Sequence, residues 1–219
     1  MMIEEYKILY RGGTAELVEK KSRFIATTRP VTSEQEALDF IAEMRKQYWD
    51  ARHSCSAYVI GARGELTRCS DDGEPAQTAG RPMLDVLLGH EVRDACVVVT
   101  RYFGGTLLGT GGLVRAYSGA VQEGLKESQI IEKKLARKLK IVTDYNGIGK
   151  IQYILANQDI SILDTRYAEQ VEIMALVPVG RLMTVTEAIT EGTAARAGME
   201  PLETLYYGTA DKKIILFED

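Results

Sequence analysis

The chain has 219 residues, 45% of them hydrophobic and 26% charged, and a formal net charge of -4. That is ample apolar material for a core in one large or two small domains, and the acidic balance argues against a generic polyanion binder, which leans on a basic surface. Three cysteines, Cys55, Cys69 and Cys96, form no C-x-x-C pair, so the sequence points away from a disulfide framework or a zinc site and toward a reducing compartment. The start, Met-Met-Ile-Glu-Glu-Tyr-Lys, carries no charged-then-apolar signal, and no apolar run approaches a bilayer span. A cytoplasmic protein with no membrane contact is expected.

Residues 3–10 and 14–31 are rich in Ile, Leu, Tyr, Val, Phe and Thr, broken at Gly12-Gly13 and Lys20-Lys21-Ser22, and predict an antiparallel strand set. Ser33, with Glu36 three residues on, opens a helix as a capping box, and Ala37, Phe40 or Ile41, Met44 and Tyr48 form its buried stripe. Ser54 to Ile60 is a strand with its turn at Gly61–Gly64. Residues 70–80 are too polar and too punctuated for regular structure, and a helix follows with Met83, Val86, Leu87 and His90 on its apolar face.

Ala95 to Val99 is a continuous apolar run, the pattern of a strand covered on both faces. Leu113, Tyr117, Val121 and Leu125 then recur every four residues as one face of a helix opening near Gly111 or Gly112. Between strand and helix stand Gly104, Gly105, Gly109, Gly111 and Gly112, flanked by Arg101 and Arg115. Main-chain amides at a glycine-rich helix start form a ready anion site. A P-loop is excluded because no lysine stands between Gly105 and Gly112. The dinucleotide fingerprint fails as well, since Val114 occupies its third glycine position. The alternative reading of the glycines is tight turning and close helix-to-sheet packing with no ligand.

The basic stretch Lys133–Lys140 marks an expected domain boundary near Ala136, giving domains 1–136 and 137–219. Beyond it come a strand at 137–144, a helix at 147–157, strands near 160–166 and 170–177, a helix at 181–191 and strands at 202–208 and 212–218. Strand-helix-strand-strand-helix-strand is the ferredoxin-like order.

Asp71, Asp72 and Glu74 could converge on a hard cation, but Asp-Gly and Glu-Pro are common turn chemistry and the calcium-loop spacing is absent, so no metal site is assigned. Asp71 and Asp72 could equally pair with Arg52, Arg68, Arg81, Arg101 or Arg115, whose forked guanidinium matches carboxylate or phosphate. His53 has no serine or cysteine partner that the sequence can show, and Cys55 and Cys96 read as small buried hydrophobes. No nucleophile–base pair is legible, no cofactor is implied, and nothing reads as a sequence-specific DNA reader.

Three separated segments in order, Asp50-Ala-Arg-His53, Ser70-Asp-Asp-Gly-Glu-Pro75 through Thr78-Ala-Gly80 to Pro82-Met83, and Arg101-Tyr-Phe-Gly-Gly105 through Leu108-Gly-Thr-Gly-Gly-Leu113 to Arg115-Ala-Tyr117, resemble the YigZ/IMPACT family. The match covers residues 16–127 by motif and the rest by pattern. The resemblance implies an α+β protein: a domain like the second domain of ribosomal protein S5, then a ferredoxin-like domain, a pairing similar to the fourth and fifth domains of elongation factor G. Its eukaryotic members regulate translation by interfering with a kinase that senses uncharged tRNA, and they carry an extra domain absent here. Carried over residue by residue, it implies a binding surface of Arg52, His53, Asp71, Asp72, Glu74, Arg101, Gly104, Gly105, Gly109, Gly111, Gly112 and Arg115. The expected function is a non-enzymatic, translation-associated regulatory protein binding RNA, the ribosome or a translation protein through that face. The alternative is an enzyme holding a phosphate ligand or nucleotide on the glycine-rich loop 104–112, because small-molecule kinases share the S5-like fold; a further alternative is a protein-interaction regulator with no nucleic acid.

Overall fold

A computed structural model describes residues 2–217. The chain divides into two units, one of residues 6–132 and one of residues 133–217 together with 2–5. The first unit runs β1 (Glu5–Arg11), β2 (Thr14–Glu19), β3 (Ser22–Pro30), α1 (Glu34–Gln47), β4 (His53–Ile60), β5 (Leu66–Ser70), α2 (Gly80–Gly89), β6 (Val92–Arg93), β7 (Ala95–Tyr102) and α3 (Thr110–Lys126). Five strands form an antiparallel sheet in the order β2-β3-β7-β4-β5. The antiparallel set expected over residues 3–31 holds only for β2 and β3. β1 pairs in parallel with the two-residue β6, Lys7 opposite Val92, and a partner so short leaves no apolar pattern to read.

Alternation along the strands splits the apolar residues between two layers. Phe24, Ala26, Cys55, Ala57, Val59, Val97 and Val99 face α2 and α3, meeting Met83, Leu87, Leu113, Tyr117 and Val121. Tyr58, Ile60, Cys96 and Val98 face the other way, onto Ala37, Phe40, Ile41 and Met44 of α1. β7 is therefore buried along both faces, as its continuous apolar run predicts. At the start of α1, Ser33 Oγ accepts the amide of Glu36 at 3.2 Å, while Glu36 Oε2 reaches the amide of Thr32 at 2.7 Å, one residue upstream of the usual reciprocal arm. His90, placed on the apolar face of α2 by spacing, is instead the exposed residue beyond its last turn.

In the second unit the order is β8 (Gln129–Thr143), whose first four residues belong to the other unit, then α4 (Ile148–Asn157), β9 (Ser161–Tyr167), β10 (Val171–Pro178), α5 (Leu182–Gly192), β11 (Gly198–Ala210) and β12 (Lys213–Phe217). The strands lie in the order β9-β10-β8-β11-β12, every neighbouring pair antiparallel. The first four strands of this unit are thus arranged as in a ferredoxin-like fold, with β12 added at the edge. Leu139, Ile141, Ile173 and Val177 of the sheet bury against Ile151 and Leu155 of α4 and Val185 and Ile189 of α5. The basic stretch 133–140 is no linker: it lies inside β8, where alternate residues bury Leu135 and Leu139 and present Lys138 and Lys140 to Glu203 and Glu172.

Candidate functional site

Register along the first sheet assembles the site. β7 carries Arg101 opposite Phe24 of β3 on one side and opposite His53 of β4 on the other, and residues paired across strands share a face. Arg101 lies two residues beyond Val99, so its side chain enters the layer under α3, and only 7% of it remains exposed. Burying an isolated guanidinium there would be prohibitive. Glu74, with 3% of its side chain exposed, descends from the 71–80 loop to meet it: Arg101 Nη1 stands 2.7 Å from Glu74 Oε1. Tyr117 of α3 donates its hydroxyl to the same oxygen at 2.8 Å. The guanidinium also lies over the Phe24 and Phe103 rings, and its Nε has no partner among the described residues.

Asp71 and Asp72, in the same loop as Glu74, brace it with their carboxylates. Asp71 accepts backbone amides of Gln77, Ala79 and Gly80 at 2.8, 3.0 and 2.8 Å, so it caps the start of α2, which has no side-chain cap of its own. Asp72 holds Arg45 at 2.6 Å through one oxygen and the amide of Ser54 at 2.7 Å through the other. Its arginine is thus none of the five considered from sequence, because Arg45 lies in the last turn of α1, outside the three motif segments beside which those five stand. His53 donates Nδ1–H to the Asp72 carbonyl at 2.9 Å, since a carbonyl can only accept.

Two glycines in the 104–112 loop have clear physical reasons. A Cβ on Gly104 would stand 2.1 Å from the Lys21 carbonyl carbon, and its amide donates to the buried Ser22 hydroxyl at 3.1 Å. Gly109, the residue before α3, has φ of +72°, the left-handed region that favours glycine. No side chain caps α3, so its first amides stay open beside this loop.

The result is a cleft of about 480 Å³ lined by Arg52, His53, Gly73, Glu74, Pro75, Arg101, Phe103, Leu107, Leu108, Gly109, Thr110 and Leu113. It gathers residues from all three motif segments. Arg52 is exposed and forms no ion pair among the described residues, whereas the charge of Arg101 is matched by Glu74. Phe103 and Leu107 are 52% and 83% exposed, an apolar patch that the glycines around them hid from sequence reading. Gly105 is an exposed loop residue and Gly111 lies in the exposed first turn of α3. Gly112 and Arg115 line a separate cleft of about 200 Å³ with Leu17 and Lys20. Among the described residues no group of three or more His, Cys, Asp or Glu side chains is arranged to hold a metal.

Proton chemistry under the cleft is quiet. Burial raises the Cys55 thiol to about 12, and burial likewise pushes the Tyr117 phenol up. Cys96, on the α1 face, is raised by burial to about 12. Each thiol sits above its ordinary value of 9.0, so the stability this shift contributes is complete below pH 9 and is lost as pH climbs toward 12. Native protein treated with iodoacetamide near neutral pH is expected to be modified at exposed Cys69 alone, with Cys55 and Cys96 reacting only on unfolding, as read by peptide mass spectrometry. Modification of Cys55 in folded protein would contradict the burial.

Fold and site together define a two-unit α+β protein whose first unit carries an arginine-lined, partly apolar cleft braced by a buried ion pair. Residues 20–125 match the Impact N-terminal domain, and residues 141–196 match a domain of unknown function, DUF1949. The chain is 42% identical to the IMPACT family member YvyE of Bacillus subtilis, covering 94% of each, and 38% identical to the IMPACT family member YigZ of Escherichia coli, covering 74% of this chain and 81% of that one. A crystal structure described as a hypothetical protein superposes with a TM-score of 0.59 at 32% identity, covering 92% of this chain and 99% of that one. The chain belongs to the IMPACT family.

Proposed function

We propose that the protein is a translation-associated regulator, acting in the cytoplasm, that binds RNA, free or within the ribosome, through the cleft of its first unit. One observation carries the RNA reading: the Arg52 guanidinium, free of any ion pair among the described residues, the exposed Phe103 ring and the open amide end of α3 share a single cleft. Single strands are held by stacking of bases on aromatic rings and by cations along the phosphates. The translation half rests on family membership, because the eukaryotic members regulate translation. No helix among the described residues is long and apolar enough to cross a membrane.

A nucleotide-binding enzyme is the second reading. What favours it is size, since about 480 Å³ falls within the range of small-molecule sites. Against it, the thiol and phenol beneath the cleft hold their protons well above neutral pH. A rise in melting temperature with ATP or GTP and magnesium, without any RNA affinity, would select the second reading.

For the first, fluorescence anisotropy with a labelled single-stranded RNA is the measurement. Arg52→Ala should weaken binding about tenfold, ~1.4 kcal/mol. It should also flatten the salt dependence by about 0.7 in slope, the value for one phosphate that no cation neutralises any longer. Failure of the unmodified protein to bind either RNA or purified ribosomes would sink the RNA reading and leave a protein partner.

A further inference from the structure

We propose that the RNA strand taken by the cleft continues past it along one end of the first unit, stacking a base on Trp49 and laying phosphates along Lys20 and Lys21. This rests on the RNA reading above and extends it to residues outside the cleft. Strand register builds that end. Glu19 of β2 pairs with Ser22 of β3, Arg23 with Tyr102 of β7, and Arg101 with His53 of β4, so the β2–β3 turn, the exit of β7 and the entry of β4 stand together. A Cβ on Gly104 would meet the Lys21 carbonyl carbon at 2.1 Å, which seats that turn against the residue after Phe103.

Trp49, the only tryptophan of the chain, is 82% exposed, yet the backbone around it is tied down. Tyr48, which ends α1, donates its amide to the Met44 carbonyl at 3.0 Å, and Ala51 donates its own to the Tyr48 carbonyl at 3.0 Å. Asp50 accepts the Tyr102 hydroxyl at 2.8 Å, which fastens this turn to the end of β7. Three residues reach at most about 11 Å, so the Trp49 backbone stays close to Arg52, which lines the cleft. An indole held out on a fixed turn loses little freedom when a base stacks on it.

The lysines carry a second, independent observation. Between Glu19 and Ser22 the hairpin turn consists of Lys20, with φ of +46°, and Lys21, with φ of +66°. Two-residue turns with both residues in the left-handed region favour Asn-Gly, because a larger side chain is strained there. Lysines in both places hold two exposed charges beside the cleft against that local preference. Lys20, Lys21, Lys46, Arg52 and Arg115 form no ion pair among the described residues, while the acids at this end without a cation are Glu19 and Asp50. On a chain of net charge -4 this local excess of cations selects a polyanion. The exposed rings of Trp49 and Phe103 select one that offers flat bases, a single strand, over an acidic peptide.

Because Trp49 is the single tryptophan, intrinsic fluorescence of the full chain reads its surroundings directly. Titration with an oligoadenylate should quench it saturably, at the midpoint that anisotropy gives for the same RNA. Trp49→Ala should weaken that binding about tenfold, and Trp49→Phe far less. Melting temperature and salt slope should stay unchanged in both, because the ring is exposed and meets no phosphate. Lys20→Asn combined with Lys21→Gly should raise the melting temperature yet flatten the salt slope by about 1.4, twice the single-strand value for one phosphate. Binding by anisotropy without quenching, and with full affinity in Trp49→Ala, would overturn the Trp49 platform and leave the RNA reading standing. An unchanged slope in the lysine double variant would overturn the phosphate contacts at the turn in the same way. Absence of RNA binding by the unmodified protein would bring down the RNA reading and this track together. Polyglutamate binding more tightly than RNA at matched ionic strength would make the occupant an acidic protein and overturn the track as well.

Discussion

Arg101→Ala is expected to lower the unfolding free energy by about 3–5 kcal/mol, the range for removing one partner of a buried ion pair. The loss has a definite origin. Glu74 would keep the Tyr117 hydroxyl but lose its cation, leaving a carboxylate with 3% exposure uncompensated. Glu74→Gln should be similarly harmful from the other side, because it leaves Arg101 charged beneath α3 with its Nε already unpartnered. Replacing both by apolar residues of like volume should restore most of the stability, since a buried pair often does no better than a well-packed apolar substitute. A double-mutant cycle by urea denaturation measures this: the Arg101–Glu74 coupling should reach about 2–3 kcal/mol, the upper part of the range for residues in contact. Arg52→Ala, at the exposed rim, should stay within about 0.5 kcal/mol of the unmodified protein. If Arg101→Ala were as stable as Arg52→Ala and abolished RNA binding instead, Arg101 would be a ligand-facing residue and the brace would be refuted.

Sequence reading recovered what periodicity carries and missed what long-range pairing decides. β7 and α3 were legible because a continuous apolar run and a four-residue recurrence are local signals. β5 was not, because its residues are half-exposed or exposed throughout and show no apolar alternation. Tyr117 was legible as a core residue by its spacing, yet its role as a hydrogen-bond donor to Glu74, 43 positions away, leaves no trace in the local pattern. Glu74 followed by Pro75 reads as a solvated turn; only the strand register that lays Arg101 under α3 turns it into a buried counter-ion. The grouping of Arg52, His53, Glu74, Arg101 and Gly109 around one cleft follows from the same register, since His53 and Arg101 are cross-strand partners. Arg115 was grouped with them through the family resemblance, but a residue five past Thr110 on a helix lies more than a full turn on, and it lines the smaller cleft.

Asp71→Ala is expected to cost about 2–4 kcal/mol, because three backbone amides are deprived of a charged acceptor at once. Two of those amides belong to Ala79 and Gly80, both buried, so water cannot replace the carboxylate without opening the loop. α2 begins there and carries Met83 and Leu87 into the same core as Tyr117, so a frayed start loosens the layer above the Arg101–Glu74 pair. Asp71→Asn should fall between, at about 1–2 kcal/mol, since one amide oxygen can still accept while the amide nitrogen faces a donor. The gradation separates a cap from a ligand. A cap predicts that urea midpoints fall in the order unmodified, Asn, Ala, and that RNA affinity of whatever remains folded is unchanged. A ligand-binding carboxylate predicts unaltered midpoints with altered binding, and that outcome would make Asp71 part of the binding surface.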